Sequence, residues 1–106
     1  MHTMTSDKKY IEIGKRLEAL RLAKHPDLTI KAFSEMMGVK YTQYLNWESG
    51  LNRPLPDQVE VFCDKLGATM DFIYRGIEAA LPQNTIKALS SRPRDSKKST
   101  SKDKPD

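Results

Sequence analysis

Tyr41, Thr42, Gln43 and Asn46 stand close together, and all four carry side chains that exchange hydrogen bonds without a fixed charge. The amides of Gln43 and Asn46 suit the edge of a base, adenine being the favoured bidentate partner. Thr42 offers its methyl to the methyl of thymine or its hydroxyl to a phosphate. Tyr41 offers a hydroxyl for phosphate and apolar ring area for thymine. The set is suited to reading duplex DNA. Other chemistries lack their parts. His2 and His25 are isolated, and the single cysteine, Cys63, cannot complete a zinc site. There is no Ser-His-Asp or Cys-His set and no glycine-rich phosphate loop, so neither an enzymatic activity nor a metal or cofactor is expected.

Four reading side chains need a rigid element, and the stretch "SEMMGVKYTQYLNWESG" (34–50) predicts one. Thr29 can N-cap a helix that buries Ala32, Phe33, Met36 and Met37. Gly38 ends it with a positive φ. A second helix runs from 40 or 41 to Glu48, with Gly50 just beyond. Ser34 supplies a small side chain where the two helices meet. Phe33, Met37, Val39, Tyr44 and Trp47 recur at the offsets that fill the angle between them. Two short helices around a tight, glycine-containing turn form a helix-turn-helix. With Tyr44 and Trp47 facing inward, Tyr41, Thr42, Gln43, Leu45 and Asn46 lie on or near the outer face. The start of this second helix is the end that enters the major groove.

The remaining elements surround this unit. Tyr10, Ile13, Leu17 and Leu20 mark one face of a helix over 8–23, broken by His25-Pro26-Asp27. A fourth helix is expected over 56–66, with proline in its first turn and Gly67 after its end. Cys63 falls in its buried pattern with Val59, Phe62 and Leu66 and reads as a core residue. Thr69 caps a short fifth helix over 70–75, stopped by Gly76. "LPQNTIKAL" adds one weak amphipathic turn through Ile86 and Leu89. No alternating apolar pattern is long enough for a sheet. The expected fold is all-α: a compact five-helix domain over 8–80, a short helical extension over 81–89 and a disordered basic Ser/Lys-rich tail over 90–106. That tail has no residue able to build a core.

Charge adds a partial argument. The 106 residues carry a net charge of +4, but the segment from Ser90 onward holds six basic and three acidic residues, so the domain itself is nearly neutral. Within it, residues 8–24 are mostly basic and residues 56–78 mostly acidic. Such a dipole can orient a protein on a polyanion. Lys8, Lys9 and Lys15 read as a solvated helix face. The longest purely apolar runs are a few residues, so no signal peptide or membrane span is expected, which suits a cytoplasmic protein.

At this point "IGKRLEALR", "LTIKAFSEMMGVKYTQYLNWESG" and "LPDQVEVFCDKLGATMDFIYRG" together resemble the Cro/phage-repressor (Xre-type) helix-turn-helix family over about 10–76. The most specific pieces are "NWESG", similar to the family's W-E-x-G, and "TMDFIYRG", similar to its closing L-D-W-x-x-x-G run. The resemblance implies a lambda-repressor-like domain that binds double-stranded operator DNA, usually as a homodimer on a near-palindromic site. It implies a transcriptional regulator, most often a repressor. Tyr41, Thr42 and Asn46 match base-contacting positions, with Lys40 and Gln43 beside them. Arg21 and Glu48 match a structural ion pair tying the first helix to the third. Asn52 and Arg53 match a loop that meets phosphate, and Lys31 and Lys40 are further phosphate candidates.

The sequence departs from the family in three places. Ile30 stands where a phosphate-holding glutamine is usual. Lys40 stands where serine or threonine often caps the third helix, and Leu45 where a small polar residue is common. The chain has no room for the self-cleaving domain of larger repressors, so no proteolytic switch is expected. The homodimer surface is expected on helix five and 77–89, where Ile77, Leu81, Ile86 and Leu89 have no evident core position. Two other functions fit the pattern. One is an antitoxin-like protein-interaction module using the acidic helices four and five. The other is a helix-turn-helix domain that has lost operator binding, for which Ile30 is the motive.

Overall fold

The organising element is the first helix, α1 (Ile11–Lys24), in a computed structural model that describes residues 10–91. Ile13, Leu17 and Leu20 recur on one side of α1 and are almost wholly buried, as the spacing of a helical face requires. The frayed start (1–7), the residues before Tyr10 expected in this helix, and the tail from 92 onward lie outside the described residues. After α1 come α2 (Ile30–Met37), α3 (Tyr41–Glu48), α4 (Pro56–Leu66), a five-residue π-helical turn α5 (Asp71–Arg75) and α6 (Gln83–Ser91). The described residues are all helical, with no strand. α1 packs on α3, α5 and α6, while α2 packs on α3 and α4.

The connection between α2 and α3 is closed by backbone hydrogen bonds. The Thr29 hydroxyl accepts the Ala32 N–H at 3.0 Å and caps α2. At the other end Gly38 has φ 78°, a left-handed conformation open to glycine. There the Val39 N–H donates to Ser34 at 2.9 Å and the Gly38 N–H to Glu35 at 3.1 Å. These two bonds form a Schellman cap that stops the helix and aims the chain into α3. Ser34 is fully buried, its hydroxyl satisfied by the Lys31 carbonyl at 2.8 Å. Behind the corner, Phe33, Tyr44, Trp47 and Phe62 form one aromatic cluster. Phe33 and Tyr44 lie 5.3 Å apart between centroids, and Trp47 and Phe62 6.1 Å. Each such side chain contributes about 1.5–3 kcal/mol by leaving water.

Six helices, not the expected five, are present among the described residues. The segment expected to give one weak turn is the nine-residue α6. Its anchor is tertiary: the fully buried Thr85 hydroxyl donates to the Gly67 carbonyl at 2.6 Å. Ser90 and Ser91, placed in the tail by the sequence reading, close this helix. The same packing gives core positions to residues for which the sequence shows none. Leu81 is buried in the core and Ile86 and Leu89 pack against it, so only Ile77 of that set remains exposed.

The short helix expected over 70–75 is a wider π turn. Thr69 caps it through the Phe72 N–H at 3.0 Å, and the turn buries adjacent Phe72 and Ile73 together. Its open carbonyls are met from outside. Arg16 donates through Nε to Ile73 at 3.0 Å and through Nη2 to Tyr74 at 3.2 Å. No helix among the described residues is long and apolar enough to cross a membrane.

Candidate nucleic-acid interface

α3 has two unlike faces. Tyr44 and Trp47 point inward, at 0% and 2% exposure. At the end of the helix, Glu48 accepts Nε of Arg21 at 2.7 Å and Nη2 at 3.2 Å, a bidentate pair whose side chains are 8% (Arg21) and 11% (Glu48) exposed. The Tyr44 hydroxyl donates to the same carboxylate at 2.5 Å. Burial pulls the Arg21 guanidinium down, but the hydrogen bond and charge of Glu48 outweigh it and hold the group above its ordinary value. Burial, helped by the charge of Glu48, pushes the Tyr44 phenol far up. This side of the helix is locked.

One residue of α1 makes that closeness possible. A Cβ on Gly14 would lie 2.2 Å from the Glu48 carbonyl oxygen and 2.7 Å from that of Trp47. Only glycine lets the two helices meet there. The available signal was a glycine inside a helical pattern, which marks a close approach of backbones.

The other face of α3 is bare. Tyr41 is 42% exposed, Thr42 is exposed, and Gln43 and Asn46 are half-buried. Among the described residues none of these four side chains hydrogen-bonds to the protein. Leu45 lies half-buried beside them. Lys40 immediately precedes the helix and gives its first turn no side-chain cap, in contrast to Thr29 on α2. The first amides of α3 are thus left for an outside acceptor.

The flanking candidates are all exposed: Lys31, Lys40, Asn52 and Arg53. Lys31 is in the first turn of α2, Lys40 at the start of α3, and Asn52 and Arg53 just after its end. The Asn52 N–H is already used, together with that of Leu51, on the Asn46 carbonyl, at 3.2 and 3.0 Å. Asn52 therefore has its side chain, not its amide, to offer. Arg53 stacks over the Tyr74 ring at 4.4 Å, and the Tyr74 hydroxyl donates to the Pro54 carbonyl at 2.7 Å. The loop is thereby pinned to α5 with its guanidinium outward. Ile30 packs against the core, which accounts for an apolar residue at the start of α2.

Two of the basic residues read from 8–24, Arg16 and Arg21, are engaged inside the fold, and Lys15 stays on the surface. Arg21 is paired with Glu48, Arg16 holds the carbonyls of α5, and Lys15 lies 3.8 Å from Glu12. Cys63 is half-buried, and burial, with Asp64 and Glu60, pushes its thiol up, away from the reactive thiolate. Among the described residues no group of three His, Cys, Asp or Glu side chains is placed to hold a metal ion.

Fold and surface together define a small helical domain that presents one uncommitted polar helix face between exposed cations. Comparison with protein-family models, curated proteins and solved structures found no match to this chain.

Proposed function

We propose that the protein is a sequence-specific double-stranded DNA-binding regulator, a repressor of the phage-repressor kind, in which α2 and α3 act as the helix-turn-helix. The observation that carries this reading is the asymmetry of α3. On its inner side Tyr44 and Glu48 are hydrogen-bonded and Trp47 is buried, whereas Tyr41, Thr42, Gln43 and Asn46 make no intramolecular side-chain hydrogen bond among the described residues. Eight residues of helix extend about 12 Å, comparable to the width of the major groove. In this reading Asn46 and Gln43 read base edges and Thr42 and Tyr41 contact thymine or phosphate. Lys31, Lys40, Asn52 and Arg53 hold the two backbones. The resemblance implies a homodimer on a near-palindromic operator.

The test is selection of duplexes from a random pool by the purified full chain at about 150 mM salt, where non-specific charge binding is weakened. Enrichment of a near-palindrome is the expected result. Asn46→Ala should then weaken the selected site by about 1–3 kcal/mol and relax one base position. No enrichment, with weak binding that vanishes as salt rises, would end the operator-binding reading. One observation favours a second reading: Asp57, Glu60 and Asp64 all stand exposed on α4. That acidic face suits a basic protein partner, as in an antitoxin-like module, and failure of the selection would turn attention there.

A further inference from the structure

A cleft of about 500 Å³ opens on the side of α1 remote from Glu48, between α1, α5 and α6. This volume is in the range of small-molecule sites. Its wall has two chemistries. Phe72, Ile86 and Leu89, with Ala19, form an apolar side, while Lys15 and Arg16 supply cations and Glu78 a single anion. Arg16 is the unusual member. It is half-buried, yet both of its hydrogen bonds go to neutral carbonyls, those of Ile73 and Tyr74. Among the described residues no carboxylate lies within ion-pair distance of it.

Glu12 attracts Arg16 only at longer range, and burial outweighs that attraction, leaving the guanidinium below its ordinary value. Nη1 takes no hydrogen-bond partner among the described residues. It lies beside Gly76, where a Cβ would sit 3.1 Å away. A positive group partly withdrawn from water and with no carboxylate at ion-pair distance favours an anion beside it.

We propose that this cleft binds an anionic amphipathic small molecule, a carboxylate carried on an apolar chain. The carboxylate lies between Arg16 and Lys15, and the chain runs along Phe72, Ile86 and Leu89. The site is separate from the outer face of α3 and does not rest on the DNA-binding reading.

The experiment uses the full chain, labelled with ¹⁵N, titrated with octanoate and followed by amide chemical shifts. Octanol, octylammonium and acetate serve as matched probes without the anion, with the opposite charge, and without the chain. Octanoate should give saturable shifts confined to 15–19, 76–78 and 86–90, octanol and acetate weaker ones, and octylammonium none. Ile86→Trp should fill the cleft and abolish the response. Lys15→Glu, at an exposed position that leaves folding intact, should raise the dissociation constant by about three- to fivefold. Absence of saturable shifts, equal response to octanol, or octanoate binding unaltered by Lys15→Glu would each overturn the proposal.

Discussion

Arg21 and Arg16 sit little more than one turn apart on α1, and the fold treats the two guanidiniums, one buried and one half-buried, differently. Arg21 meets a carboxylate in bidentate geometry and shares it with the Tyr44 hydroxyl. Arg16 meets only the carbonyls that the π turn leaves open. The first arrangement cancels charge and locks α3. The second satisfies hydrogen bonds but leaves the charge without an ion-pair partner, beside an open cleft. A guanidinium matched by a carboxylate locks two helices together; one matched only by carbonyls satisfies hydrogen bonds without pairing charge.

The comparison breaks most visibly at Glu48. Glu48→Ala should cost about 3–5 kcal/mol of unfolding free energy, because it leaves Arg21 charged and buried without a partner. The double variant Arg21→Met/Glu48→Leu should recover most of that loss, since removing both charges removes the desolvation penalty with them. Urea unfolding of the two variants measures both. A loss below about 1 kcal/mol for Glu48→Ala would class the pair with exposed ion pairs, which contribute little.

Arg16→Met tests the other arginine. Hydrogen bonds to charged groups contribute roughly 1.5–3 kcal/mol, and water at this half-exposed site lowers the expectation to about 1–2 kcal/mol. The loss should be local. Amide exchange should accelerate in α5 and α6 while α3 remains protected. Equal acceleration in α3 would show that the two arginine sites on α1 act as one unit.

The Arg21 end should also carry an alkaline signature. The Tyr44 phenol is held protonated in the folded state far above its ordinary value. Its contribution is therefore complete below the unfolded phenol pKa of about 10. Above that pH the unfolded chain releases a proton that the folded chain keeps, so stability falls by about 1.4 kcal/mol per pH unit. Cys63 and Tyr74, both also shifted up by burial, add slope of the same sign. Melting temperatures between about pH 9 and 11 should fall less steeply in Tyr44→Phe than in the natural sequence. Equal slopes would mean that Tyr44 ionises freely in the folded state.

What could be read beforehand divides along the same line. The bounds of α4, the Thr29 cap and the left-handed Gly38 follow from chemistry within a few residues, and the sequence alone predicts them. The partner of Arg21 lies 27 positions away, and only the family resemblance, not the spacing, points to it. The acceptors of Arg16 lie 57 and 58 positions away and are backbone atoms, which carry no residue identity to recognise. The local pattern predicts only a single turn at α6, because its stability lies in Thr85 reaching Gly67 and in its packing on α1. The polar face of α3 was legible as composition. That these side chains would stay unbonded depends on what every other element reaches.

The smallest effect separates folding from function most cleanly. Thr29 caps α2, whereas Lys40 leaves α3 uncapped. Thr29→Ala should lose about 1 kcal/mol. Lys40→Asp should do the reverse and gain about 0.5–1 kcal/mol, because an aspartate caps the free amides and complements the helix dipole. If those amides and the Lys40 ammonium face a phosphate in the DNA complex, the same substitution puts an anion where the phosphate must sit. A protein that melts higher and no longer retards duplex DNA is the expected pair of results. A residue whose change raises stability and removes binding is held for binding, since selection for folding alone would favour the cap. Higher stability with duplex binding unchanged would instead place the start of α3 away from the backbone and remove Lys40 from the interface.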